Sequence, residues 1–224
     1  MPASVVSLPL PPAPVAAAAP APGARRLPSP SIERSLPLPA QLPKGRLIEL
    51  TGDRSSAHFT SAVACLRYAQ SLGETTAWVQ PERGPLFPPD LADSGIDLSS
   101  LVVVHVPRSA GGYGLPKAAE LLLRSGGFGM LVVDLTLTPV RRDTAWQGRL
   151  LGLAREHDVW LLLLTDRSEQ ARGSLGPLVN LQLQPQRTRQ TAGVFSVSTD
   201  VLKNKSGTLG PIAGELRRGP WGFS

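Results

Sequence analysis

Two stretches, LVVVHV at 101–106 and VWLLLLT at 159–165, are apolar at nearly every position. A strand with one face in water alternates apolar and polar residues, so near-continuous runs require burial on both faces, as in a parallel sheet covered by helices. That constraint fixes the fold class. Further strands are expected at RLIELT (46–51), TTAWVQ (75–80) and MLVVDL (130–135), with helices around 57–72, 115–125 and 144–157 between them. Gly73 and Gly126 are placed to end two helices, and Asp143 to cap the start of the third. The β-α-β alternation predicts an open α/β fold, a mostly parallel twisted sheet flanked by helices with right-handed crossovers. Beyond it, LVNLQLQP (178–185), GVFSVST (193–199) and the final segment to Ser224 read as added strands or hairpins, two of them with period-two alternation.

The first thirty residues contain nine prolines, and most of the rest are alanine, serine, valine or leucine. Proline lacks an amide donor and fixes its own φ, so residues 1–34 are expected to form a disordered Pro/Ala-rich tail. The ordered core is then expected over 35–210, followed by a C-terminal tail at 211–224. In PVAAAAPAPGARR (14–26) the arginines follow the apolar part, the wrong order for a secretory signal. No apolar run approaches the roughly 20 residues that span a bilayer, so no membrane segment is expected and a cytoplasmic location is. Cys65 is the only cysteine, which excludes an intrachain disulfide, and its place in the helical pattern reads as core. Lys plus Arg number 23 against 17 for Asp plus Glu, a formal net charge of +6. Such a balance suits nucleic acid or an acidic protein partner.

Residues 48–63, IELTGDRSSAHFTSAV, have the layout of a phosphate loop: strand, glycine turn, polar loop, helix start. A working loop reads Gly-x-x-x-x-Gly-Lys-Ser/Thr, in which the second glycine lets backbone amides approach phosphate, lysine neutralises it and the hydroxyl binds Mg²⁺. Here Gly52 is followed by Ser55, Ser56, Ala57, His58 and Phe59. Ala57 adds a Cβ at the second glycine. His58 is shorter than lysine and, with a reference pKa of about 6.5, mostly neutral. Phe59 offers no metal ligand and sets a ring where Mg²⁺ would sit. Three adjacent defects argue against ATP hydrolysis. Downstream, GFGMLVVDLTLT (127–138) runs from apolar residues into Asp134, the arrangement that holds a Mg²⁺ shell at a strand end in phosphate-loop enzymes.

Residues 43–84 carry a Pro-x-Gly-Arg lead-in (Pro43, Gly45, Arg46), Gly52, the pair Ser55 and Ser56, the pair Ala69 and Gln70, Gly73 and Glu82. With SGIDLSSLVV (94–103), LLRSGGFGMLVVDL (122–135) and VLKNKSG (201–207), this order resembles the nucleotide-binding core of the bacterial RecA recombinase. The degraded loop, shortened centre and proline-rich start are most similar to ImuA-type proteins, sometimes labelled SulA-like, which are accessory factors of mutagenic translesion synthesis. The resemblance implies work beside the ImuB-like Y-family polymerase homologue and an error-prone replicative-type polymerase, with RecA itself a further contact. It also places Glu82 at the family's water-activating carboxylate and Asp134 at its metal-shell aspartate. Gly52, Ser55, Ser56, Ala57, His58, Phe59, Glu82 and Asp134 would then be a vestigial nucleotide site, with no catalytic residue, metal or cofactor. The family's two DNA-binding loops are reduced to about TLTPVRRDTAWQGR (136–149) and RSEQARGSLGP (167–177). A noncatalytic adaptor is the leading expectation. The alternatives are a residual ATPase using His58, and a direct DNA-binding module.

Basic residues toward the end, Arg187, Arg189, Lys203, Lys205, Arg217 and Arg218, are candidates for weak, salt-sensitive nucleic-acid contacts. Arg141 and Arg142 with Trp146 are either a contact surface or a solvated helix entrance. Trp221 and Phe223, near the terminus, are either docking anchors for a partner or rings folded onto the core. In HVPRSAGGYGLPKAAELL (105–122), Gly111, Gly112, Tyr113 and Gly114 lie between a strand and a helix, do not make the dinucleotide fingerprint and read as a connecting loop. The three histidines, 58, 105 and 157, are too scattered for metal-ligand spacing.

Overall fold

In the computed structural model, residues 37–52, 56–138, 143–166, 174–205, 207, 209–210 and 212–218 are described, all within one unit spanning 34–224. Each expected parallel strand forms: β1 (Arg46–Gly52), β2 (Thr76–Pro81), β3 (Leu101–Val106), β4 (Met130–Asp134) and β5 (Trp160–Asp166). Three further strands follow, β6 (Leu181–Thr191), β7 (Val194–Asn204) and β8 (Glu215–Arg218). The helices are α1 (Leu38–Gln41), α2 (His58–Ser71), α3 (Pro88–Asp93), α4 (Gly114–Arg124) and α5 (Thr144–Glu156). The residues expected as a C-terminal tail thus include a strand, 215–218, that joins the sheet.

The eight strands make one sheet in the order β3-β2-β4-β5-β1-β6-β7-β8. Pairing is parallel from β3 to β6 and antiparallel from β6 to β8. Alternate residues of the central strands feed two cores. Leu47, Val79, Leu131, Val133, Leu161 and Leu163 pack against α4 and α5. Ile48, Leu50, Trp78, Val132, Leu162 and Leu164 pack with Leu38, Ala62, Leu66 and Leu91 on the α1, α2 and α3 side. This is why β5 shows a continuous apolar run instead of alternation. β3, expected from LVVVHV to be buried on both faces, is instead the outer strand of the sheet among the described residues, with Val102 41% exposed and only Val106 buried.

Local signals account for the helix ends. Gly73 and Gly126 take left-handed φ values of 83° and 66° after α2 and α4, a conformation that costs glycine no Cβ clash. The Asp143 carboxylate accepts from the amides of Ala145 and Trp146 at 3.2 and 3.4 Å, capping α5. Trp146 itself is 2% exposed and belongs to the core, so it is neither a contact surface nor a solvated entrance. Arg141 and Arg142 lie outside the described residues. Residues 108–113, expected as a loop, form a 3₁₀ helix broken at Gly111.

The leucines of β5 sit between both layers, so truncating one leaves a cavity that neither layer can close. Leu162→Ala, at a position with no exposed surface, is expected to lower unfolding free energy by about 3 kcal/mol, read from urea denaturation midpoints.

Candidate functional site

Parallel strands of an open α/β sheet present ligand sites at their carboxyl ends. Across that edge the order β2, β4, β5, β1 sets Glu82, Asp134, Asp166 and Gly52 at successive strand ends. Asp134 pairs in register with Leu164, and Gly52 with Asp166. Of these carboxylates, Asp166 was missed at the sequence level; it follows Thr165 at the end of a strand whose leucines dominate its pattern. Among the described residues, no three His, Cys, Asp or Glu side chains are close enough to hold a metal ion.

The described residues around the loop, Gly52 and Ser56 to His58, are packed against one another and against β6. Gly52 ends β1 without a left-handed φ, and a Cβ there would overlap Ser56 Oγ and lie 2.6 Å from His58 Nδ1. Glycine is therefore required by close packing of the chain on itself and not by a turn. Ser56 bridges Gln186 of β6, and its hydroxyl hydrogen-bonds Nδ1 of the buried His58. Ala57, 1% exposed with φ −105°, donates its amide to the Pro185 carbonyl at 3.0 Å. That amide is one of the donors a helix start offers an anion. Ser55 lies outside the described residues.

Phe59 is placed differently from the expectation that its ring fills the Mg²⁺ position. It stacks toward Trp78 of β2 with centroids 6.0 Å apart, packed against the α2-side core. The first turn of a helix rotates about 100° per residue, so once His58 faces Gly52 its neighbour is carried toward the sheet. Glu82 is exposed and donates its amide to Val106.

Asp134 is fully buried. Its Oδ1 accepts from the Thr136 amide at 3.0 Å and hydroxyl at 2.6 Å, while Oδ2 has no hydrogen-bond partner among the described residues. Burial raises its pKa above the usual carboxylate range, and the two bonds from Thr136 only partly oppose this. Cys65 is buried in α2, and desolvation pushes its thiol far above the ordinary range, which fits a core residue and not a nucleophile.

A second buried carboxylate, Glu49 on β1, was also not singled out from sequence. It accepts from Thr165 Oγ1 at 2.9 Å and from the Leu175 amide at 3.1 Å. Lys203 donates to Ser174 Oγ and the Gly176 carbonyl, and Lys205 to the Pro177 carbonyl. Burial first, then the neighbouring Lys205, lower the Lys203 pKa, with Glu49 opposing. These two lysines hold the chain entering β6 and so part company with the other basic candidates. Directly opposed residues of an antiparallel pair share a face. Arg187 opposes Val197, Arg189 opposes Phe195, and Phe195 opposes Arg217, so these three arginines share one face of the β6-β7-β8 ribbon. Arg218 ends β8; Trp221 and Phe223 lie outside the described residues.

The family described as the RecA N-terminal domain matches residues 29–146. The chain is 34% identical over 100 residues to protein RecA of Acinetobacter baumannii (strain ATCC 17978), covering 44% of this chain and 28% of that one. It is 36% identical over 100 residues to protein RecA of Teredinibacter turnerae, with the same coverage. Against protein RecA of Rhodospirillum centenum it is 36% identical over 101 residues, covering 45% of this chain and 27% of the relative. The chain thus spans under a third of the length of these curated relatives.

The raised pKa of Asp134 has a signed consequence. Its stabilising contribution is complete below the unfolded carboxylate value, about pH 3.9, and is lost as pH rises through the higher folded value. Above that folded value the buried, half-satisfied carboxylate is a burden. Asp134→Asn keeps the acceptor for Thr136 and is expected to gain about 1 kcal/mol at neutral pH, with no gain near pH 3. Urea midpoints at the two pH values check it; a loss at pH 7 would mark the carboxylate as neutralised by a partner in solution.

Proposed function

The chain belongs to the RecA N-terminal domain family, and from that premise we propose that it is a noncatalytic RecA-fold adaptor in bacterial DNA-damage tolerance. In this role it works by protein contacts in mutagenic translesion synthesis, in the manner of ImuA-type proteins. Its partners are an ImuB-like Y-family polymerase homologue and an error-prone replicative-type polymerase, with RecA as a further contact, and its place is the cytoplasm.

One observation carries the reading. Two of the groups that a phosphate loop turns toward a triphosphate are bonded within the chain: the Ala57 amide to Pro185, and the His58 ring to Ser56. The positions of the missing lysine and metal-binding hydroxyl are a buried histidine and a ring stacked toward Trp78. A fold that keeps its frame and turns its reactive loop inward retains surfaces, and surfaces bind partners.

Titration calorimetry of the full chain with ATP and Mg²⁺, together with a phosphate-release assay, tests the proposal. No heat of binding and no turnover is expected. Tight binding with measurable hydrolysis would reject it, and abolition of that binding by His58→Ala would establish the residual ATPase instead.

A further inference from the structure

The outer half of the β6-β7 hairpin stands in solvent. β6 pairs with β1 only through residues 181–183, Ser56 bridges Gln186, and from Gln186 to Thr191 every residue of β6 is exposed. Between Gln186 and Thr199 the chain holds two arginines and no carboxylate. Arg187 opposes Val197 and Arg189 opposes Phe195, so both arginines stand on one face. Neither makes an ion pair among the described residues. Glu215, which opposes Val197 from β8 on the same face, is taken by Arg217. The other face of the hairpin, with Gln186, Thr188, Ser196 and Ser198, is uncharged. None of the exposed large apolar side chains among the described residues lies within 186–199.

We propose that this face of the hairpin lies along the phosphate backbone of duplex DNA, with Arg187 and Arg189 each holding a phosphate of one strand. The contact goes beyond the adaptor reading and does not depend on it. Guanidinium suits phosphate because its planar fork donates two parallel hydrogen bonds. The two α-carbons are about 6.8 Å apart along β6, a span over which one DNA strand rises by about two nucleotides. An acidic protein fits less well. Protein interfaces draw most of their energy from large aromatic and apolar anchors, and the hairpin exposes none. Single-stranded nucleic acid gains from stacking on aromatic rings, whereas Phe195 is half-buried with the Arg187 guanidinium 5.0 Å from its ring. A duplex needs neither, since its bases are already stacked and its phosphates are regularly spaced.

The test uses the full chain and a fluorescent duplex of about twenty mixed-sequence base pairs, followed by anisotropy between about 50 and 200 mM salt. Each phosphate contact adds about 0.9 to the steepness of log affinity against log salt, so two contacts require affinity to fall at least about twelvefold over that range. Arg187→Gln with Arg189→Gln is expected to weaken binding throughout and to reduce the steepness by about 1.8. Arg83→Gln with Arg108→Gln makes the same charge change on exposed residues just past β2 and β3, at the far end of the strand order. That control should shift the steepness by less than about 0.5. All four arginines are exposed, and melting curves check that both variants fold. An oligothymidine of about twenty nucleotides and a glutamate peptide of about ten residues are the comparison probes, each expected to bind more weakly than the duplex. The proposal is overturned by no duplex binding at the low-salt end, unchanged steepness in the hairpin variant, equal losses in the two double variants, or tighter binding of either comparison probe. Each of these outcomes leaves the adaptor reading in place, since that reading is tested by ATP binding and turnover.

Discussion

Burial of β1, β4 and β5 on both faces is the constraint from which the rest of the structure follows. A strand buried on both sides has no water to satisfy its amides and carbonyls, so each must pair with a neighbouring strand. β5 lies in register with β1 along seven residues and with β4 along five. The two helical layers then cover alternate side chains of the same strands. Within this frame the carboxyl ends of β1, β2, β4 and β5 lie along one edge, so residues distant in sequence become neighbours in strand order.

The extension of the sheet beyond β1 decides what that edge can do. β6 runs parallel to β1 over three residue pairs and then continues past it. Its continuation meets the loop: Pro185 takes the Ala57 amide, and Gln186 bridges Ser56. The chain entering β6 is fixed in turn by Glu49, Lys203, Lys205 and the Gln147 amide group. The buried carboxylate of Glu49, with hydrogen bonds to both oxygens, anchors the strand that folds the loop inward. A buried acid is tolerable only with such satisfaction.

The central strands and the three long helices were legible in the sequence because burial on two faces leaves an unbroken apolar signature, and because Gly73, Gly126 and Asp143 mark ends by their chemistry. Sheet order was not legible, since no residue pattern states which strands adjoin. The hairpin was read too short. QRTRQT in β6 has no hydrophobic period because the ribbon there stands in solvent, so nothing in the pattern distinguishes it from a loop. The short α3 and β8 carry too few residues for a period to register. At the site, the defects at Ala57, His58 and Phe59 were plain from residue type, while their inward orientation was not, because it depends on Pro185 and Trp78, remote in the chain. The six basic residues looked like one group, and only the strand register separates the arginine face from the lysines bound to 174–177.

The proposed loss of nucleotide binding has an energetic form. For a triphosphate to use this edge, the Ala57 amide must leave Pro185, exposing a carbonyl whose unmet hydrogen bond costs about 1–3 kcal/mol where it stays buried. The His58 ring must leave Ser56 and its tilted contact with Phe59, whose centroid is 4.6 Å away. Reopening at Gly52 would also have to displace both side chains that fill the space beside its α-carbon. What the ligand would gain in return is small. A charge-assisted bond from a lysine, about 1.5–3 kcal/mol, has no counterpart in the shorter His58 ring, which is bonded to Ser56, and Phe59 offers a cation no oxygen. Glu82, Asp134 and Asp166 share the edge, and carboxylates without a bridging metal repel phosphate. Costs and gains point the same way, and under the adaptor proposal the faces of the molecule are what remain to meet a partner.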